Sequence, residues 1–331
     1  SLKPAYTEEA NVEFRSDAVS RSKKEITRIS QNVGGNIVAR IYPEGGSNKV
    51  GLGLFLKYLM GATNTSQVGS SPTYWHGFPP FRDPFSDCPG AIGDKGISVH
   101  VNRPTICSDV RNFPFQGCRV SGLTIDQDPN AALQMTVDLF GQQALANQAE
   151  IGSPTYSTIA PFRSVHLTAK EGAVTPIGTA PNYIGFTTAG TDDLSLRSLS
   201  IAVTNGLVDQ IVLGSQVDYP TETDIGVYTA TITMSALAKD PASGWSSIDT
   251  YEKWISDTDV ELFFEWDNGV VIAGGATYKL VVHLPKVHIT DSNITDVLEG
   301  ENMFNMTGEA ISSSVDQYSI GLFVQNSVPS Y

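Results

Sequence analysis

The chain holds 331 residues, of which 40% are hydrophobic and 17% charged, with a net charge of -14. That length leaves room for two domains with real cores, and the acid excess excludes a protein that grips nucleic acid by its phosphates, a task that takes clustered Lys and Arg. The low charge content also puts Ser, Thr, Asn, Gln and Gly over much of the surface, a composition that is often covered by other chains.

The opening segment "SLKPAYTEEANVEF" has no apolar core of the signal-peptide kind, which predicts a product made in the cytoplasm. A basic cluster follows: Arg21, Lys23, Lys24 and Arg28. "VGGNIVARIYPEG" (Val33–Gly45) reads as a glycine-led strand. "VGLGLFLKYLMGA" (Val50–Ala62) is the most apolar run, but it contains Lys57 and is too short to span a bilayer, which takes about 20 apolar residues. Leu52, Phe55, Leu56, Leu59 and Met60 share one helical face, and Gly61 is placed to end the helix. An aromatic and Pro-rich loop is expected from Thr63 to Lys95, with Tyr74, Trp75, Phe78 and Phe81 as an exposed patch of the kind that marks interfaces.

Period two then dominates. "ISVHVN" (Ile97–Asn102), "CRVSGLTID" (Cys118–Asp126), "LQMTVDLF" (Leu133–Phe140), "RSLSIAVTN" (Arg197–Asn205), "GVYTATITMSAL" (Gly226–Leu237), "VELFFEW" (Val260–Trp266) and "YKLVVHLPKVHIT" (Tyr278–Thr290) read as strands. Turns are expected at "TNG", "DNG" and "AGG" (from Thr204, Asp267 and Ala273). Pro285 predicts an edge or a bulge. A second helix is predicted at Ser246–Asp257, with Asp249 and Glu252 as a capping box and Tyr251, Trp254 and Ile255 on one face.

The order of elements recurs. A long strand, a helix, two further strands and a last strand follow one another in each half. Val120, Leu123 and Ile125 match Leu284, Val287 and Ile289 in phase, and "LQMT" at Leu133 matches "FNMT" at Phe304. The expected division is 1–160, which carries the loop 63–95, and 161–331, which carries a C-terminal strand. The fold class is mainly β: two tandem antiparallel β-sandwich or partial-barrel domains, each with one flanking helix.

Catalytic chemistry is hard to assemble from this chain. His76, His100, His166, His283 and His288 are scattered, with no HExxH and no Cys/His pair at zinc spacing. No nucleophile elbow or phosphate-binding loop occurs. The three cysteines, Cys88, Cys107 and Cys118, form no CxxC, and their odd number fits no complete disulfide framework. Reduced thiols are expected, with a pairing of Cys107 and Cys118 across a hairpin left open. No enzyme, no cofactor and no metal are expected.

The residues from Gly34–Gly35 through "GLGLFLKYLMGA", "TYWHGFP", "FQGCRVSGLTI" and "DLFGQQA", then "LRSLSIAVTNG", "YEKWI", "VELFFEW", "YKLVVHLPKVHIT" and "YSIGLFVQNS" (Tyr318–Ser327), follow a familiar order. The chain resembles tailed-bacteriophage tail tube proteins of the larger class built from a duplicated tube domain. The resemblance implies a structural virion protein that self-assembles into stacked rings forming the tail tube, the conduit for DNA ejection. It also implies assembly in the host cytoplasm and residence in the virion tail, without a membrane anchor. Homotrimeric, pseudo-hexameric rings are expected, with a hexamer as the alternative. Further partners would be other tail proteins at the tube ends, and the tape measure protein and DNA, which would pass through the lumen without specific binding. In such proteins the loop before the long strand resembles an arm between subunits or rings. The candidate contact residues are therefore Arg21, Lys23, Lys24 and Arg28, their acidic counterparts Asp218, Tyr219, Glu222 and Asp224, and the aromatics Trp75 and Phe78. The acidic run between Ser215 and Ala310 reads either as a lumen wall or as ordinary solvated acid. Rival readings are another virion β-sandwich (a capsid decoration or tail-tip protein) and a carbohydrate-binding module.

Overall fold

A computed structural model describes residues 2–11, 25–45, 51–61, 63–69, 72–80, 96–104, 110–149, 152, 157–187, 192–210, 222–224, 226–241, 244–296 and 302–331. In chain order the strands are β1 (Lys3–Asn11), β2 (Glu25–Arg40), β3 (Asn64–Gln67), β4 (Tyr74–Phe78), β5 (Ile97–Pro104), β6 (Val110–Gln127), β7 (Gln134–Gly141), β8 (Gln143–Ala144), β9 (Gln148–Ala149), β10 (Leu167–Glu171), β11 (Thr175–Thr179), β12 (Asn182–Thr187), β13 (Asp192–Asp193), β14 (Leu196–Thr204), β15 (Val208–Gln210), β16 (Glu222–Asp224), β17 (Thr229–Leu237), β18 (Val260–Ala273), β19 (Ala276–Asp296), β20 (Asn302–Ala310) and β21 (Gly321–Asn326). The helices among the described residues are α1 (Leu52–Met60) and α2 (Ser247–Ile255), with a short 3₁₀ turn at Ser164–His166. The protein is mainly β and antiparallel, as the alternating runs require.

One continuous sheet runs β1–β2–β7–β6–β14–β17–β20–β19. Its first four strands and its last four follow the same pattern: first strand, second strand, last strand, long strand. In each quartet the long strand also serves a second set of partners. β6 pairs through its N-terminal part with β5, β8 and β9, and β19 pairs through its N-terminal part with β18 and β21. β21 carries this second layer on to β4 and β3. The expected loop after α1 therefore begins as a β3–β4 hairpin, and residues 81–95 lie outside the described residues.

The core lies behind the continuous sheet. Val33, Val137, Ile125, Ile201, Ile232 and Phe304, from six of its strands, join one buried cluster with Leu280 and Phe264 of the second layer. A smaller aromatic cluster forms where Trp75, Tyr183, Phe263, Tyr318 and Phe323 meet.

The helices are held differently. α1 buries Leu52, Leu56, Leu59 and Met60, each contributing about 1.5–3 kcal/mol of transfer free energy before entropy costs. Gly61 ends it in the left-handed region (φ 83°) and donates its N–H to the Lys57 carbonyl. At the other end Gly51 offers no side-chain cap. Buried Glu44 takes that place, accepting from the Gly53 N–H at 3.1 Å, while the Tyr331 hydroxyl donates to the same oxygen. Burial pushes the Glu44 carboxyl above its usual range, although the bonds from Tyr331 and the first amides of α1 pull against it.

In α2 the cap is Ser246, whose hydroxyl accepts from the Asp249 N–H at 3.2 Å, so the expected capping box on Asp249 and Glu252 lies one turn too late. It buries Ser247 and Thr250 and packs Tyr251 and Trp254 of the expected face against the core, whereas Ile255 is exposed. The reason is a polar seat. Buried Glu171 accepts from Trp245 Nε1 and Thr250 Oγ1, each at 2.9 Å, and pairs with Lys253.

One turn expectation shifts, at "DNG", and the "AGG" turn from Ala273 stands where the sequence places it. The "DNG" at Asp267 is an irregularity within β18, and the chain reverses at Gly274–Gly275. Pro285 falls at a register break in the β18–β19 pairing, as expected for a residue without an N–H.

Candidate functional site: a polar sheet face

The pairing registers line up side chains across the continuous sheet. One row reads Arg40, Gln134, Asp126, Ser200, Thr233, Thr307, Asp291. Another reads Val38, Thr136, Thr124, Ala202, Thr231, Glu309. These positions alternate with the buried ones, so they form the face turned away from the core. Sequence repeats such as "SLSIAVT" and "TATITMS" write this face directly, with Ser or Thr at every second place except Ala202.

The hydroxyls and amides of this face bond to one another. Ser198 and Ser235 meet at 2.7 Å, Thr204 and Thr229 at 2.7 Å, and Ser200 donates to Asp126 at 2.6 Å. Asn305 donates to Asn293 at 3.1 Å and to Thr295 at 3.2 Å. Short side chains held laterally leave a low-relief, hydrogen-bonded surface. Its acids are Asp126, Asp138, Asp291 and Glu309, and its cations Lys3, Arg40 and Arg119, too sparse a set to hold a polyanion by its phosphates.

One feature fixes the correspondence between the quartets. β6 bulges between Val120 and Gly122 against β7, and β19 bulges between Ile289 and Asp291 against β20. The bulged residues make the same bond. Ser121 Oγ donates to the Asp138 carbonyl at 3.2 Å, and Thr290 Oγ1 donates to the Thr307 carbonyl at 3.1 Å. Ser121 therefore matches Thr290, Ile125 matches Ile294, and Asp138 matches Thr307. The phase expected from sequence, Ile125 with Ile289 and "LQMT" with "FNMT", is corrected accordingly.

The pattern of the phage tail tube protein family matches residues 11–297. The chain belongs to the phage tail tube protein family. It is a structural tail tube protein, a component of the virion tail that assembles with its own kind and with other tail proteins. No curated protein matches the chain. Among solved structures it is similar to a chain of a particle described as the virion of a native gene transfer agent, at 16% identity and a TM-score of 0.28, covering 46% of this chain and 95% of that one.

Within this tail tube protein the expected contact residues fall in three groups. Arg21, Lys23, Lys24, Asp218 and Tyr219 lie outside the described residues. Arg28 stands in β2 opposite Glu8 of β1, and Glu222 and Asp224 stand in β16 opposite Gln210 and Val208 of β15. Trp75 and Phe78 are 4% and 0% exposed in β4, so the expected exposed patch is corrected there. Trp75 donates through Nε1 to the Tyr183 carbonyl at 3.1 Å and stacks near Phe323, which uses its surface inside the chain.

The acidic run is partly neutralised. Lys279 lies 2.9 Å from Glu265 and 3.3 Å from Asp267, and Lys286 lies 3.1 Å from Asp259. Burial raises the Asp267 carboxyl, but bonds from the Gly269 amide, Thr277 and Lys279 outweigh it and hold its pKa below the usual range. His283 is buried, with Nδ1 2.7 Å from the Tyr318 hydroxyl and Nε2 3.0 Å from Glu261, packed between Phe186 and Phe263. Cys118 is a buried free thiol pushed up to about 11 by its surroundings, and Cys88 and Cys107 lie outside the described residues. Among the described residues no group of three His, Cys, Asp or Glu is placed to hold a metal, and no helix is long and apolar enough to cross a membrane.

Proposed function

We propose that the chain closes into rings of three copies, each copy giving two tube domains divided near residue 160, and that the rings stack into the conduit for DNA. The observation that carries this reading is the recurrence of one strand quartet, with the same bulge and the same hydroxyl bond, on both sides of the β6–β14 junction. Two equivalent quartets per chain give a threefold ring six equivalent units, which makes closure with quasi-identical contacts possible. Six copies per ring remain the alternative stoichiometry.

The polar face is the candidate lumen wall. Sparse cations give DNA phosphates little to bind, and the net charge of -14 repels the polymer at range. The DNA and the tape measure protein would slide past hydroxyls and amides that already bond to each other. No catalysis is part of this role, and assembly would take place in the host cytoplasm.

The basic segment Arg21–Arg28, which runs into β2, and the acidic segment Asp218–Asp224, which runs through β16 ahead of β17, each lie at or before the second strand of a quartet. Their opposite charge fits contact between subunits or rings. Reversing Lys23 and Lys24 to Glu should weaken assembly, whereas tubes as abundant and as salt-resistant as wild type would count against the arms. Electron microscopy and mass measurement of the purified chain test the whole reading. Hollow rings of three copies support it, and a dispersed monomer at high concentration defeats it.

A further inference from the structure

Two Asn-Gly dipeptides occur in the chain, Asn205–Gly206 and Asn268–Gly269. Such a pair can rearrange without a partner. The glycine nitrogen attacks the Asn Cγ, a five-membered imide closes, and ammonia leaves. Glycine favours the attack because no side chain shields its nitrogen. In a folded chain three things set the rate: whether the Asn side chain reaches that nitrogen, what polarises its carbonyl, and what takes the proton.

The first pair is locked. Asn205 is 7% exposed, and its Nδ2 donates to the Val120 carbonyl at 2.8 Å and to the Leu59 carbonyl at 3.4 Å. Its own N–H donates to the Ser121 carbonyl at 3.1 Å. The Val227 backbone closes over Gly206, where a Cβ would stand 2.7 Å from the Val227 carbonyl oxygen. The amide that would have to leave is the group the fold holds, and the peptide has no room to swing.

The second pair has the opposite surroundings. β18 breaks register with β19 between Asp267 and Val271, so Asn268 and Gly269 stand outside the regular ladder. Gly269 lies in the left-handed region (φ 70°), and a Cβ there would meet nothing within 4 Å. The Val270 N–H donates to Asn268 Oδ1 at 3.0 Å, which folds the side chain back over the following peptide and polarises the carbonyl to be attacked. The Gly269 N–H, whose proton must be lost, donates to Asp267 Oδ1 at 2.9 Å. Thr277 at 2.8 Å and Lys279 at 3.3 Å hold the other oxygen of Asp267 and help keep the carboxylate ionised. Asn268 Nδ2, the leaving group, is screened from solvent and has no hydrogen-bond partner among the described residues.

We propose that Asn268 is a self-modifying site, with the Gly269 nitrogen as nucleophile, Asp267 as base and the Val270 amide as donor to the carbonyl oxygen. The bond from the Gly269 nitrogen to Asn268 Cγ forms as the proton passes to Asp267. The Cγ–Nδ2 bond breaks as Asp267 returns that proton, and Nδ2 departs as ammonia. Water then opens the imide to aspartate or isoaspartate. Either product places a third carboxylate beside Glu265 and Asp267, which already share Lys279, on a strand that exposes Val270 and Val271. This surface becomes more acidic as the chain ages, irreversibly and without an enzyme.

Peptide mapping of the full chain by mass spectrometry, after storage in mildly alkaline buffer with and without urea, tests the site. The unfolded chain in urea gives each Asn its rate without the fold. In the folded chain Asn268 should convert at least as fast as in urea, to both aspartate and isoaspartate, while Asn205 stays intact. Asp267→Asn keeps an acceptor for the Gly269 N–H but removes the base. It should slow Asn268 in the folded chain by about tenfold or more and leave its rate in urea nearly unchanged. Slower conversion of Asn268 in the folded wild type than in urea overturns the proposal, and so does conversion of Asn205 alongside it. An unaltered rate in folded Asp267→Asn, with folding checked by circular dichroism, overturns it as well. The wild-type comparison decides on its own where that variant does not fold.

Discussion

Ile125 and Ile294 occupy the same place in two matching strand quartets, and only the first is covered. Met60 and Ile255 end two helices of equal length, and again only the first is covered. Among the described residues the first half of the chain has its neighbour in the second half, whereas β19 beyond Val287 pairs only with β20. Exposure that looks like poor design in one copy becomes informative when its matching residue is known.

The sharpest way to break the comparison is to truncate both isoleucines. Ile125→Ala should cost about 2–5 kcal/mol in urea unfolding of the separated chain. Ile294→Ala should fall within about 0.5 kcal/mol of wild type there, and should approach the larger cost only in assembled rings. Equal costs in the separated chain would mean that the two sites are not differently covered.

The helix seats come next. Glu171→Ala removes the carboxylate that Trp245 Nε1 and the Thr250 hydroxyl share under α2, leaving Trp245 its bond to Thr250 Oγ1 at 3.0 Å and Thr250 its bond to the Ser246 carbonyl at 3.3 Å, so the loss should be about 1–3 kcal/mol in all. Ser246→Ala should cost about 1 kcal/mol by removing the cap. Thermal unfolding of the separated chain reads both, and α1, capped by distant Glu44, should show no counterpart to the second.

The bulge hydroxyls sharpen the correspondence itself. Ser121→Ala and Thr290→Val should each cost about 0.5–1.5 kcal/mol, with similar values, because they remove the same bond at matching places.

Glu44 offers the smallest and most specific effect. Its folded pKa is raised, so in the window between the unfolded and folded values the folded state binds more protons and stability falls as pH rises. Wild type should therefore lose ground to Glu44→Gln as pH climbs from about 4 towards 7, in paired urea titrations. A difference that stays flat, or that runs the other way, would mean that burial does not dominate at Glu44.

Much of this was legible in the sequence because burial alternates on a strand. The Ser and Thr spacing in "RSLSIAVTN" and "GVYTATITMSAL" gave both the strands and their polar face. The apolar stripe and Gly61 gave α1 to its last residue. What could not be read was register. β19 breaks register twice, and Leu284, Val287 and Ile289 straddle the break at Pro285 with the same spacing as Val120, Leu123 and Ile125 straddle the bulge at Ser121, so the apolar pattern pairs Ile125 with Ile289 instead of Ile294. The α2 seat was equally hidden, because Glu171 lies far along the chain from Thr250 and nothing local marks a buried carboxylate. Trp75 and Phe78 read as surface in the sequence because their segment is rich in proline, whereas β21, near the chain's end, supplies the strand that turns β4 into sheet.

A reconstruction of the purified assembly by electron cryo-microscopy tests the central claim most directly. The account predicts a closed ring of three chains in which six equivalent strand quartets turn their polar faces to the lumen. A ring of six chains, or a ring in which the two quartets of one chain face different surroundings, would contradict it.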